Sequence, residues 1–301
     1  MIDTPHHGLL ARGAVWSSWA VAAWIMLTLG WRAIRPDDPL GPVSLLAVSG
    51  WFGVALKTSL LAWAVALVGS LLAGRFLPDA GTFAAALGLA LLSLQGQTMG
   101  DFLLARAGDA GGAISGLEWK LAAEALVWLA AMLASAALSA IVESRGRSDW
   151  MARMPYVGSH ARAGQPPSVR RYLALVTTVG LMVFVALSVG TRQRAIEHGQ
   201  ACFLVAAAIS AGMYAGNHFL GMRSQWWGIV AVGVIAVVGY LSSIIVGTGD
   251  RLPPGMPGSP FLRVLPLQFI SVGSAAVVAM SWYMAPAEHS TAGDDAERPV
   301  P

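Results

Sequence analysis

Apolar residues run along this chain in long stretches, separated by short clusters of Arg, Asp, Pro and Gly. A helix needs about 20 predominantly apolar residues to cross the hydrocarbon core of a bilayer. Eight stretches meet or approach that length: 14–31, 50–74, 82–104, 119–142, 171–191, 200–222, 226–248 and 264–285. The breaks carry turn or charge signals, among them Arg35-Pro36-Asp37-Asp38-Pro39, Leu77-Pro78-Asp79 and Pro253-Pro254-Gly255. The pattern predicts an all-α, polytopic integral membrane protein of about eight transmembrane helices. One long polar connection, 143–170, divides them into two four-helix groups, a first membrane half over 1–142 and a second over 171–286. The remaining segment, 287–301, reads as a polar, acidic, disordered tail.

Composition narrows the class without naming an activity. The chain has 301 residues, 56% hydrophobic and 12% charged, with mean hydropathy +0.62. Soluble domains carry roughly 25% charged residues. The 19 Lys and Arg against 16 Asp and Glu leave +3, scattered along the chain, which offers no nucleic-acid surface. Cys202 is the one cysteine, which excludes an internal disulfide and a cysteine-rich metal site. The first apolar stretch is followed by Arg32, Arg35 and Pro36 rather than a small-residue cleavage site, so it reads as a retained helix.

Arginines in short loops set orientation. The side holding the N-terminus collects ten arginines and the other side seven, with six of the ten between Arg145 and Arg171. Both termini are therefore expected in the cytoplasm, in a multi-pass protein of the cell inner membrane, with 143–170 as a basic cytoplasmic loop and 250–260 outside.

Ionisable groups inside a span are costly and mark candidate sites. Lys57, Asp101, Lys120 and Glu124 all fall at the same depth, in the outer half of three consecutive spans. Lys120 and Glu124 are four residues apart and share a helix face, while Lys57 and Asp101 come from helices joined by a hairpin. One reading makes them neutralising pairs that fix helix register. The other makes them, with Gln95 and Gln97 in the run from Leu94 to Asp101, a polar pathway for a small cation; such amides also serve as interhelical glue. On span six, His218 and Met222 stand at i, i+4, with Met213 five residues before His218. Imidazole and thioether together suit copper, so these three form the candidate metal face. Haem is disfavoured, because bis-His ligation needs histidines inside two facing helices. No Walker A, GxSxG, HExxH or paired-carboxylate pattern marks the chain as an enzyme. The tryptophans, Trp63 and Trp128 among them, fall mostly near span ends as interfacial belts do and receive no ligand.

Several runs resemble the copper resistance protein D family of polytopic inner-membrane proteins. Ser49-Gly-Trp-Phe-Gly-Val-Ala-Leu-Lys57 is similar to that family's glycine-containing entry to a helix with a basic residue shortly inside. Leu89 to Gln97 resembles its apolar run ending in Gly-His, with Gln97 where the histidine would stand. Arg170-Arg171-Tyr172, His198 to Leu204, and Gly216-Asn217-His218 resemble entries and exits of helices in its second half. The resemblance covers roughly 49–248 and implies copper uptake or tolerance, with copper as the bound metal. Its departures fall on the expected histidines, here Gln97 and the apolar residues around Trp128. A short internal echo relates Asp79-x-Gly81 and Gly100-Asp101 to Glu197-x-Gly199 and Gly216-Asn217, in the sense of an inverted repeat.

The functional expectation is thus an inner-membrane transport or metal-handling protein, with the lipid bilayer and a small cation as partners. The alternative is a non-catalytic scaffold subunit of a larger membrane complex, whose polar residues hold helices together.

Overall fold

The computed structural model describes residues 5–38, 41–102, 116–146, 168–188, 197–221, 224–246 and 259–284. Every regular element among them is helical. In chain order these are α1 (Pro5–Ile25), a π-turn (Met26–Gly30), α2 (Trp31–Ile34), α3 (Trp51–Ala73), α4 (Ala80–Ser93), α5 (Leu117–Gly146), α6 (Val169–Ser188), α7 (His198–Leu220), α8 (Gln225–Val246) and α9 (Pro266–Tyr283). Short 3₁₀ turns stand at Leu45–Ala47 and Pro260–Arg263.

Six of the helices are long and apolar enough to cross a membrane: the continuous Ala11–Ile34 rod, Trp51–Ala73, Leu117–Ser144, Val169–Ser188, His198–Leu220 and Gln225–Ile244. The chain is an all-α, multi-pass membrane protein. The other two expected spans are shorter. Helix α9 has 18 residues and α4 has 14. At 1.5 Å per residue α4 reaches about 21 Å, short of a hydrocarbon core of about 30 Å. The expected continuous span over 82–104 is therefore corrected: α4 stops at Ser93, and the chain turns through Leu94 to Thr98. In the other direction α5 outruns its expected end, continuing through Glu143 to Gly146.

The two expected groups of four do not stand apart. Helix α9 packs against α4 and α5 of the first half as well as α7 and α8 of the second, and α5 packs against α8. Eleven of the 18 residues of α9 are buried, among them Gln268, Ser271 and Ser274. Small residues make these approaches close: Gly228 faces Val277 and Met213, and Gly273 faces Val232. In membranes such close packing replaces the hydrophobic effect as the force between helices.

Two interhelical contacts set the register of the first half. Trp63 Nε1 donates to the Ala131 carbonyl, and the Ser70 and Ser139 hydroxyls meet at 2.6 Å. Helices α3 and α5 therefore run parallel, with α4 returning between them. Gly81 of α4 lies where any Cβ would overlap Ser70 Oγ and the Ala66 carbonyl, so α4 touches both hydroxyls only because that position has no side chain.

Candidate functional site

Residues 41–48, in the break between the first two expected spans, fold back into the bundle. Val43 and Ser44 are fully buried and Leu45 nearly so. The Asp37 N–H donates to the Ala47 carbonyl and closes the segment on itself. Irregular backbone at this depth is tolerated only where protein surrounds it, and the broken end of α4 supplies that cover. The Gln97 N–H donates to the Gly41 carbonyl. A Cβ at Gly96 would stand 2.8 Å from Val43 N and 3.0 Å from the Gly41 oxygen, so only glycine permits this contact. The half-buried Gly96 carbonyl is met by His198 Nε2 at 2.8 Å. Gln268, 2% exposed, then donates to the His198 carbonyl and to Cys202 Sγ.

What the returning segment clasps is Glu124. Its carboxylate is 3% exposed and lies two turns into α5, about 10 Å from the helix start. Ser44 Oγ donates to Oε2 at 2.6 Å. Trp128 Nε1 donates to Oε1 at 3.0 Å, and the Leu45 backbone N–H adds a third donor. A buried carboxylate is costly unless hydrogen-bonded; here the three donors are neutral dipoles, and no cation meets the group among the described residues. Tyr240 of α8 stands within electrostatic range and donates to the Val264 carbonyl at 2.9 Å. That bond anchors a second buried returning segment, Ser259 to Leu265, against the same end of the bundle. On the outer flank of the first segment lies a cavity of about 270 Å³, lined by Asp37, Asp38, Leu46, Ala47, Val48, Ser49 and Phe102.

A second buried carboxylate sits near the far end of α5. Glu143 Oε1 accepts from Ser139 Oγ at 3.2 Å and Oε2 accepts from the Asp79 N–H at 3.0 Å. Asp79 takes a left-handed backbone, φ 61°, at the tight turn into α4. The Trp282 indole N–H fixes the same turn by donating to the Pro78 carbonyl.

Measured against the expectations, one of the four charged candidates enters the interior. Lys57, Lys120 and Asp101 are exposed. Lys120 does not pair with Glu124, whose oxygens are taken by Ser44 and Trp128. Asp101 instead shares a local cap with Thr98, which donates to its carboxylate at 2.5 Å and accepts from its N–H at 3.1 Å. Gln95 is exposed and donates to the Leu27 carbonyl at 3.3 Å; Gln97 is half-buried and acts through its backbone. Trp128 is corrected from an interfacial residue to a fully buried donor. Ser44, Trp128, Glu143 and His198 are the residues of these buried polar contacts that composition did not mark. A Glu followed by Trp at i+4 was the only local signal, since that spacing puts both on one helix face.

Of the candidate metal face, the two described residues, Met213 and His218, do not come together. Met213 is buried and its sulfur accepts from the Tyr172 hydroxyl at 3.2 Å. His218 is exposed and stacks on Tyr214, ring centroids 5.6 Å apart. Met222 lies outside the described residues. Among the described residues no group of three His, Cys, Asp or Glu converges, and Met213 and His218 have separate surroundings on α7. Comparison with family models, curated proteins and solved structures returns no match.

Proposed function

We propose that the chain is a membrane transport protein for a small cation, with Glu124 as the binding carboxylate. One observation carries the reading: a carboxylate buried two turns into a membrane helix, held by three neutral donors and, among the described residues, by no cation. An arrangement of that kind keeps a negative charge, or the proton that neutralises it, where hydrophobic packing would be cheaper. The returning segment over 41–48 separates Glu124 from the cavity beside Asp37, and its Ser44 contact is the natural gate between the two. The excess of arginine on the side of the termini supports a cell inner membrane with both termini cytoplasmic, which puts Glu124 toward the outer face. Copper as cargo rests on the family resemblance alone, and the scattered His218 and Met213 give it no ligand set.

The test is cation flux into proteoliposomes carrying the full chain, with H⁺, Na⁺, K⁺ and Cu⁺ supplied separately. Glu124→Gln is expected to abolish flux of one of them, while Asp101→Asn, outside the interior, leaves it intact. Full flux in Glu124→Gln would overturn the reading. Absence of any flux in the wild type, together with a co-purifying subunit, would favour the scaffold alternative.

A further inference from the structure

Helix α5 carries two buried carboxylates, Glu124 and Glu143, 3% and 8% exposed. They are 19 positions apart, about 28 Å along the helix, which nearly matches the thickness of a hydrocarbon core. One therefore stands near each boundary of the membrane on a single rod.

Between them the interior holds hydroxyls with nothing to bond. Thr58 Oγ1 on α3, Thr82 Oγ1 on α4 and Ser274 Oγ on α9 are buried with no partner among the described residues, and all three residues are 0% exposed. Their depths follow from the contacts already described. The Trp63 to Ala131 and Ser70 to Ser139 pairs place Thr58 level with Leu126 and Val127, between Glu124 and Trp128, the residue bonded to it. Gly233 of α8 meets Leu129, and Gly273 of α9 meets Val232, which places Ser274 about level with Ala131. Thr82 follows Gly81, which abuts both Ser70 and Ser139. At that level the chain of hydrogen bonds is already continuous, from Ser70 through Ser139 to Glu143. Ordered by depth, Glu124, Thr58, Ser274, Thr82 and Glu143 descend along α5. The three helices that bring these hydroxyls, α3, α4 and α9, each pack against α5.

Buried polar atoms are almost always satisfied, by protein or by ordered water, and buried water occupies sites that offer several polar partners. We propose that Glu124 and Glu143 are the two ends of one proton path, with water bound at the Thr58, Ser274 and Thr82 hydroxyls carrying the proton between them along α5. This rests on the transport reading above and narrows its cation to the proton. The step balances without a co-reactant. Glu124 takes a proton from water on its own side and passes it to the first bound water. Each water accepts one proton and releases another, and Glu143 receives the last and returns it to solvent at the far end. The transmembrane gradient supplies the drive.

The experiment measures proton flux with a pH dye inside proteoliposomes under an imposed potassium diffusion potential. It compares wild type, Glu124→Gln, Glu143→Gln and the combined Thr58→Val, Ser274→Ala, Thr82→Val variant. Each is expected to lose roughly a hundredfold, the scale of a positioned proton-transfer group, and Glu143→Asp is expected to restore part of the loss. Loss of flux in Glu124→Gln with wild-type flux in both Glu143→Gln and the triple variant would overturn the path and leave the transport reading standing. Sodium or potassium flux without proton flux in the wild type would do the same. Full flux in Glu124→Gln would remove both. Should the triple variant fail to fold, infrared difference spectra of wild type and Glu143→Gln decide. Acidifying only the Glu124 side should raise a protonated-carboxyl band that Glu143→Gln lacks, and an unchanged band would refute the connection.

Discussion

Trp128→Phe isolates the contact on which the Glu124 site depends. Trp128 is fully buried and its indole N–H is the donor to Glu124 Oε1 at 3.0 Å. Phenylalanine keeps the aromatic plane but removes the donor, leaving that oxygen without its side-chain partner. A hydrogen bond to a charged group contributes about 1.5–3 kcal/mol, and the smaller ring leaves a cavity near methyl size, adding about 1 kcal/mol. Trp63→Phe is the internal control. Its N–H donates to the Ala131 carbonyl at 3.1 Å, a neutral acceptor that Ser135 Oγ also reaches at 2.9 Å. That loss should cost only about 0.5–1.5 kcal/mol beyond packing. The expected difference is about 1–2 kcal/mol, with Trp128→Phe the more damaging. Equilibrium unfolding in mixed detergent measures it, repeated in a Glu124→Met background where the acceptor is gone. In that background the cost of Trp128→Phe should shrink to its packing part, because coupled residues are not additive. Equal costs in both backgrounds, or costs indistinguishable from Trp63→Phe, would refute the role assigned to the indole.

Other outcomes follow from the same geometry. Gly81→Val should destabilise the first half by several kcal/mol, read as a fall in thermal midpoint, because the new side chain meets the Ala66 carbonyl and both serine hydroxyls and overpacking alone costs about 1–3 kcal/mol. His218→Ala should leave the midpoint within about 0.5 kcal/mol. Tyr172→Phe should lose about 1 kcal/mol, since its buried hydroxyl serves Met213 and Asn217. Lys57→Cys and Lys120→Cys should both react with a membrane-impermeant maleimide added on one side, and Arg75→Cys only from the other; labelling of Lys57→Cys and Lys120→Cys from opposite sides would overturn the parallel course of α3 and α5.

Much of the architecture was legible because it is a matter of length and hydropathy. Trp51–Ala73 and Gln225–Val246 each differ by one or two residues at either end from stretches read off the apolar pattern. The break in α4 was not, since Gln95, Gly96 and Gln97 are polar but uncharged and a window over 82–104 averages them away. The site was half legible for a related reason. Ionisable residues announce themselves by cost, which singled out Glu124. The same criterion also took in Lys57, Lys120 and Asp101, whose side chains lie outside the interior. Sequence spacing gives depth but not facing, and three of the four face outward. Ser44 belongs to a segment rich in Pro and Gly, whose composition reads as a surface turn. The tertiary contacts with Gly96 and Glu124 show that it turns inward.

The shortness of α4 and the burial of Glu124 then stem from one constraint. A helix that stops inside the membrane leaves its last carbonyls without intrahelical partners, and lipid offers none. At α4 the Leu94 and Gln95 N–H groups and Ser93 Oγ meet the Leu91, Leu92 and Ala90 carbonyls, and what still has to be covered is the irregular turn beyond them, Gln95 to Gln97. The chain uses Gly41 and Val43 to lie against Gly96 and His198 to cap its carbonyl. Once residues 41–43 are held there, Ser44 and Leu45 necessarily follow into the interior and present a hydroxyl and an N–H at the depth of Glu124. The carboxylate is thus accommodated by a segment that the broken helix requires in any case. Lengthening α4, by Gly96→Leu with Gln97→Leu, should expel that segment and deprive Glu124 of two donors at once. The expected result is a larger loss of stability than Ser44→Ala gives, together with new reactivity of Ser44→Cys toward a soluble maleimide. Retained protection of the cysteine at position 44 in the lengthened chain would show that the segment is held by something other than the break.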